Sequence, residues 1–166
     1  AYADKYQQKA NAKVEKRYAK AGRMAGAAAY QKDRGAQAYK KHDDAAKVLD
    51  KTAKKYESEG KFIKAEAARK SAAALRVRGS NIQAEHNSTA DRLLKKSAKL
   101  NAKASDVSSN STVNLGKSTG DSILKSSKKE GYNTAKEAHE LERELNAQQR
   151  LGSTGYNLYN KARGKR

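Results

Sequence analysis

Gly116-Lys117-Ser118-Thr119 has the residue types of a nucleotide-binding loop, in which backbone amides and a lysine cradle phosphates. That chemistry also needs a glycine five residues before Gly116 and a hydrophobic strand leading in. The position holds Ser111, and Asn110 to Leu115 is polar. The stretch therefore reads as a helix-entry turn, with Ser118 as N-cap and Asp121 completing a box at the positive end of the helix dipole. His139-Glu140 opens a zinc-protease pattern, but Arg143 stands where the second histidine belongs. His42, His86 and His139 lack ligand spacing and read as helix-surface residues. Asp43-Asp44 and the Glu140/Glu142/Glu144 group sit among lysines and arginines, where pairing along a helix surface is expected. Asn87-Ser88-Thr89 and Asn110-Ser111-Thr112 match the glycosylation pattern, which is short enough to recur by chance. These residues predict a protein that is not an enzyme, with no catalytic group, metal site or cofactor.

Charge is the stronger signal. Lys and Arg number 37 against 18 Asp and Glu, a formal net charge of +19. Such an excess points to a polyanion: nucleic acid, an acidic membrane surface or an acidic polysaccharide. Nine tyrosines accompany one phenylalanine and no tryptophan. A tyrosine has an apolar ring and a wet tip, so it suits half-buried interfaces; base stacking is the alternative use. The tyrosine spacing follows helix faces, which favours packing.

These residues must be carried on helices. Tyr6, Ala10, Val14, Tyr18, Ala21, Ala25 and Ala28 share one helical face, and Gly22, Gly26, Ala29 and Tyr30 form a small-residue surface where another helix can approach. Lys32 to Gly35 is a candidate bend or a polar patch in a continuing helix, Gly60 a C-cap or kink, and Gly79-Ser80 a break. Asp50–Lys54 is spaced as a helical ion pair. Residues 105–117 are rich in Ser and Asn, whose side chains compete with the backbone for hydrogen bonds, and predict an irregular segment. A long C-terminal helix follows, with Leu124, Gly131, Ala135, Ala138, Leu141 and Leu145 along a face and interruptions expected at Gly152 and Gly155. The organisation expected is thus a basic Ala/Tyr-rich helical region over 1–79, a connecting helix over 80–104, a break over 105–117, and a long helix with a basic tail over 118–166. No fixed-length repeat stands out from the Ala/Lys bias.

Composition bounds the fold. Mean hydropathy is −1.08, and alanine supplies much of the apolar content while offering little surface to bury. Proline is absent, which suits uninterrupted helix, and so is cysteine, which rules out a disulfide framework. No run is long and apolar enough for a membrane-spanning helix. Ala1 is compatible with trimming of an initiator methionine and predicts a complete product made in the cytoplasm; a cleaved secreted form is the alternative. The fold class expected is all-α: elongated helices and helical hairpins with little independent globular core, ordered in an oligomeric assembly.

Val113, Gly116, Ser118, Asp121, Ile123 and Leu124, followed by Gly131-Tyr132 and by Leu141-Glu-Arg-Glu-Leu145, form a pattern that resembles the internal virion proteins of short-tailed phages, the core or ejection proteins of podoviruses. The resemblance covers the last third of the chain, or half if Ser80 to Ala104 is the preceding helix. It implies a non-enzymatic protein packed in multiple copies beside the portal of a DNA-filled capsid, leaving ahead of the genome and contacting the host envelope in transit. The partners it implies are further copies of the chain, portal or core proteins, and double-stranded DNA held by electrostatics. On this reading Leu124, Ala135, Ala138, Leu141 and Leu145 form a helix-packing interface. Lys125, Lys128, Lys129, Lys161, Arg163, Lys165 and Arg166 are the expected phosphate contacts. Two alternatives stand beside it: a basic protein that coats DNA or RNA, and a secreted Tyr/Lys-rich matrix protein.

Overall fold

A computed structural model describes residues 2–108, 115–162 and 164, with side chains over 3–108, 115–150 and 164. The chain is all-α: α1 spans Tyr2–Ser58, α2 Phe62–Ser108 and α3 Lys117–Ala162. Among the described residues there is no strand. At about 1.5 Å per residue, α1 is a rod of about 85 Å. It is the shared spine, and α2 and α3 both pack on it.

The α1–α2 turn is built by Gly60. Its φ of 73° lies in the left-handed region that an L side chain avoids. Gly60 N–H donates to Glu57 C=O at 2.9 Å and Lys61 N–H to Tyr56 C=O at 2.8 Å, the paired bonds of a Schellman cap. The expected C-cap at Gly60 is therefore where the chain reverses.

The two helices then run antiparallel in constant register. Val14 packs with Ala104, the Ala21 carbonyl meets Ser97, Gly35 meets Gln83, the Tyr39 backbone meets Gly79, and Ala53 packs with Ala65. On α1 the buried positions Val14, Ala21, Ala28 and Gly35 are seven apart, as are Ala46 and Ala53. On α2 the same step links Ala65, Ala72 and Gly79, and again Ala90, Ser97 and Ala104. Seven-residue steps, with one step of eleven in each helix from Gly35 to Ala46 and from Gly79 to Ala90, keep one stripe facing the partner. Because the residues on that stripe are small, the backbones come close and contact replaces bulky side-chain burial.

The seam bears on the breaks expected from sequence. Gly79-Ser80 does not break the chain: α2 runs through it, because Gly79 is a contact point whose missing side chain leaves room for Tyr39 and His42. The expected boundary between residues 79 and 80 falls inside that helix. Of the two readings of Lys32 to Gly35 the continuing helix holds: the stretch lies within α1, with Gly35 against Gln83 and His86. The break expected over 105–117 begins later, since α2 extends to Ser108; residues 109–114, including Val113, lie outside the described residues.

α3 runs parallel to α1. Tyr18 lies against Gly120, Gly22 against Leu124 and Ser127, Gly26 against Lys128 and Tyr132, and Arg23 against Gly131. A Cβ on Gly22 would stand 2.7 Å from the Leu124 carbonyl oxygen, and one on Gly26 2.6 Å from the Tyr132 nitrogen. The small-residue surface at Gly22 and Gly26 is thus the crossing point of α1 and α3. At the lower end of the crossing, Val14, Tyr18 and Ala104 are buried with Ile123 and Leu124 packed on them. α3 begins one residue before Ser118. The Gly116 carbonyl accepts from Thr119 N–H at 3.1 Å and Gly120 N–H at 3.2 Å, so Gly116 occupies the cap position. Ser118 and Asp121 sit exposed in the first turns rather than forming the expected cap. The helix passes through Gly152 and Gly155 without interruption.

Candidate anion site at the three-helix junction

Above the Gly26 crossing, all three helices contribute to one cleft of ≈ 480 Å³. α1 supplies Tyr30, Arg34 and Lys41; α2 supplies Ile82 and His86; α3 supplies Tyr132, Lys136, His139, Glu140 and Arg143. Arg34 and Lys41 are seven apart on α1, and so are Lys136 and Arg143 on α3. A seven-residue spacing keeps each pair on one face of its helix, about 10 Å apart along the axis.

The aromatic groups are the wall of the cleft. Tyr30 is 8% exposed and meets Tyr132 edge to face, with centroids 5.4 Å apart and planes at 86°. Tyr132 donates its hydroxyl to Asp33 Oδ2 at 2.7 Å, which holds the ring and raises the phenol's pKa. The His139 ring lies 6.3 Å from that of Tyr30. On the α2 side, His86 Nδ1 is 2.7 Å from Gln31 Oε1. These rings are committed to packing against one another, so they are not free to stack on bases.

The electrostatics are positive. Some cations elsewhere are matched: Arg76 bridges Asp43 at 3.1 Å and Asp50 at 2.6 Å, Lys47 reaches Asp43 at 2.9 Å, and Arg69 pairs with Glu57. Arg34, Lys41, Lys136 and Arg143 form no ion pair with any described carboxylate. The histidines register the resulting field. Burial, followed by the nearby Arg34 guanidinium, holds both His86 and His139 below the ordinary imidazole value, and Arg143 adds to the effect at His139. Glu140 and Glu142 oppose it at His139 without reversing it. His139 Nδ1 is buried with no hydrogen-bond partner. A buried polar atom without a partner is rare in folded proteins, and here it sits among uncompensated cations.

Among the described residues, the site residues expected from sequence do not line this cleft. Leu124 is half-buried in the α1–α3 contact. Ala135 and Ala138 line a shallow second pocket with Met24, Ala27 and Leu93. Leu141 and Leu145 are 61% and 58% exposed and make no part of the internal packing. Lys125, Lys128 and Lys129 are exposed on α3 and unpaired with any described carboxylate. The Lys161 side chain and residues Arg163, Lys165 and Arg166 lie outside the described residues. Among the described residues, no three His, Asp or Glu side chains converge as metal ligands, and no helix is long and apolar enough to cross a membrane.

The cleft residues are spread from position 30 to 143, so no local motif announces them. The only sequence signal is the pair of seven-residue cation steps. The chain matches no protein-family model, no curated protein and no solved structure.

Proposed function

We propose that this chain is a non-enzymatic structural protein that works in multiple copies, packing through its helix faces and contacting DNA by electrostatics. The observation that carries the reading is charge on a thin rod. A net +19 along about 85 Å amounts to roughly one uncompensated positive charge every 4–5 Å, against about one phosphate every 1.7 Å of duplex axis. A rod of that kind neutralises a polyanion lengthwise without needing sequence readout. The exposed Lys125, Lys128 and Lys129 belong to that surface. The exposed Leu141 and Leu145 are the face offered to a second copy or to a neighbouring virion protein.

The interior of a short-tailed phage particle, beside the portal, is the setting that the resemblance over Val113 to Leu145 supports. It accounts for life among packaged DNA, and delivery with the genome would bring the chain to the host envelope. Quantitative mass spectrometry of DNA-filled particles, and of particles triggered to release their genome, tests this setting. Presence in full particles and loss from emptied ones is expected for an ejected core protein. Retention in emptied particles would make it a fixed portal or tail component. Absence from both would discard the virion setting and leave a basic DNA- or RNA-coating protein, the reading that charge alone supports.

A further inference from the structure

We propose that the three-helix cleft is a binding site for a phosphate group, held between Arg34 and Lys41 of α1 and Lys136 and Arg143 of α3. The proposal rests on the polyanion reading above and adds to it one defined site on an otherwise diffuse basic surface.

Three observations carry it. First, four cations line one cleft from two parallel helices, and none of them pairs with a described carboxylate. Like charges held together without a counter-ion are unfavourable, and an anion relieves that repulsion. Second, His139 Nδ1 is buried and unpartnered at the same place, with His86 contributed to the cleft by the third helix. Third, the tyrosines are packed on one another and on Asp33, so the cleft offers charge rather than a stacking platform.

The chemistry favours phosphate over a carboxylate. The lining includes two guanidinium and two ammonium groups against one carboxylate, Glu140, so the cleft carries a net excess that suits a multiply charged oxyanion. Its ≈ 480 Å³ accommodates a phosphate with the atoms attached to it, within the usual size of small-ligand clefts. A duplex is far too wide to enter. The group that does is either free, as inorganic polyphosphate, or terminal, at the 5′ end of a nucleic-acid strand.

The test uses the full chain at about 0.15 M salt, where diffuse contacts are screened. Tripolyphosphate is titrated while the ring signals of His86 and His139 are followed by NMR. A labelled oligonucleotide is titrated in 5′-phosphate and 5′-hydroxyl forms. Both are repeated on Arg34→Gln/Arg143→Gln, on Arg143→Gln alone, and on Lys99→Gln/Lys103→Gln. The last removes equal charge from exposed positions of α2 outside the cleft.

Tripolyphosphate is expected to move both histidine signals. Its affinity should fall roughly tenfold in the Arg34/Arg143 variant, fall less in Arg143→Gln, and stay within about twofold in the Lys99/Lys103 variant. A 5′-phosphate preference lost with the same cleft variant would identify a nucleic-acid end as the source. Equal affinity for the two oligonucleotides, with tripolyphosphate binding retained, would identify free phosphate. Both outcomes support the site. Silent histidines, or equal weakening in both double variants, would overturn it. Affinity for a long 5′-hydroxyl duplex is read separately, so loss of the site leaves the wider polyanion reading standing.

Discussion

Ser97 on α2 donates a 2.7 Å hydrogen bond to the Ala21 carbonyl on α1, inside the seam between the two longest helices. The Ser97 residue is only 8% exposed, and Ala21 is fully buried. A side-chain bond to the partner's backbone requires the helices to approach closely, and the small residues at every seventh position allow that approach.

The seam is therefore sensitive to volume and less sensitive to the bond. Ala21→Leu should destabilise the chain by about 1–3 kcal/mol, since the opposing backbone has nowhere to move. Ser97→Ala removes the bond but keeps the fit, and should cost about 0.5–1.5 kcal/mol. Urea unfolding followed by circular dichroism ranks the two; a larger loss in Ser97→Ala would reverse the argument.

Glycine to alanine at an ordinary interior helix position stabilises by about 1 kcal/mol. At Gly26 and Gly131 the sign should invert. A Cβ at Gly26 meets the Lys128 carbonyl oxygen, and one at Gly131 stands 2.5 Å from Arg23 Cα. Both neighbours are backbone and cannot rotate away. Either alanine should lower the melting temperature and raise hydrogen exchange in α3 more than in α2.

Stability should fall with acidification near neutrality. His86 and His139 titrate below the ordinary value of 6.5 in the folded chain, because burial and Arg34 disfavour their charged forms. The unfolded chain therefore takes up protons first as the pH drops below 6.5. Stability present above that value is lost as the pH falls through the lowered folded values. Around His139 the facing charged and titratable groups are Tyr30 and Arg34 on α1, His86 on α2, and Glu140, Glu142 and Arg143 on α3. Thermal melts across that window should show the decline, and His139→Gln should flatten it.

Leu141→Asp with Leu145→Asp should leave the three-helix unit intact, because both side chains are exposed within it. If that face joins copies, sedimentation will show smaller species than the native chain. An unchanged sedimentation profile removes this face from the assembly.

Much of the helical content was legible in the sequence. Absent proline, the Val14 and Tyr18 face and the Gly60 cap point to long helices, and α1 and α2 have them. The Gly22/Gly26 surface was also readable as a contact, although its partner α3 was not. The seven-residue step was hidden because alanine occupies non-seam positions as freely as seam ones; Ala73 and Ala74 are exposed beside the buried Ala72. Gly79 looked like a break for the same reason that it is a contact, since a missing side chain both loosens an isolated helix and admits a close partner. The cleft was out of reach, because Arg34, His86 and Arg143 come together only once the α1–α2 register and the α3 crossing are known.

The central claim is that the charge on this rod engages DNA, and the most direct measurement is duplex affinity as a function of salt. A log–log slope of roughly −0.9 is expected for each phosphate neutralised, so a contact along the rod should give a steep line of several units. Binding that is absent, or that does not respond to salt, would contradict the claim.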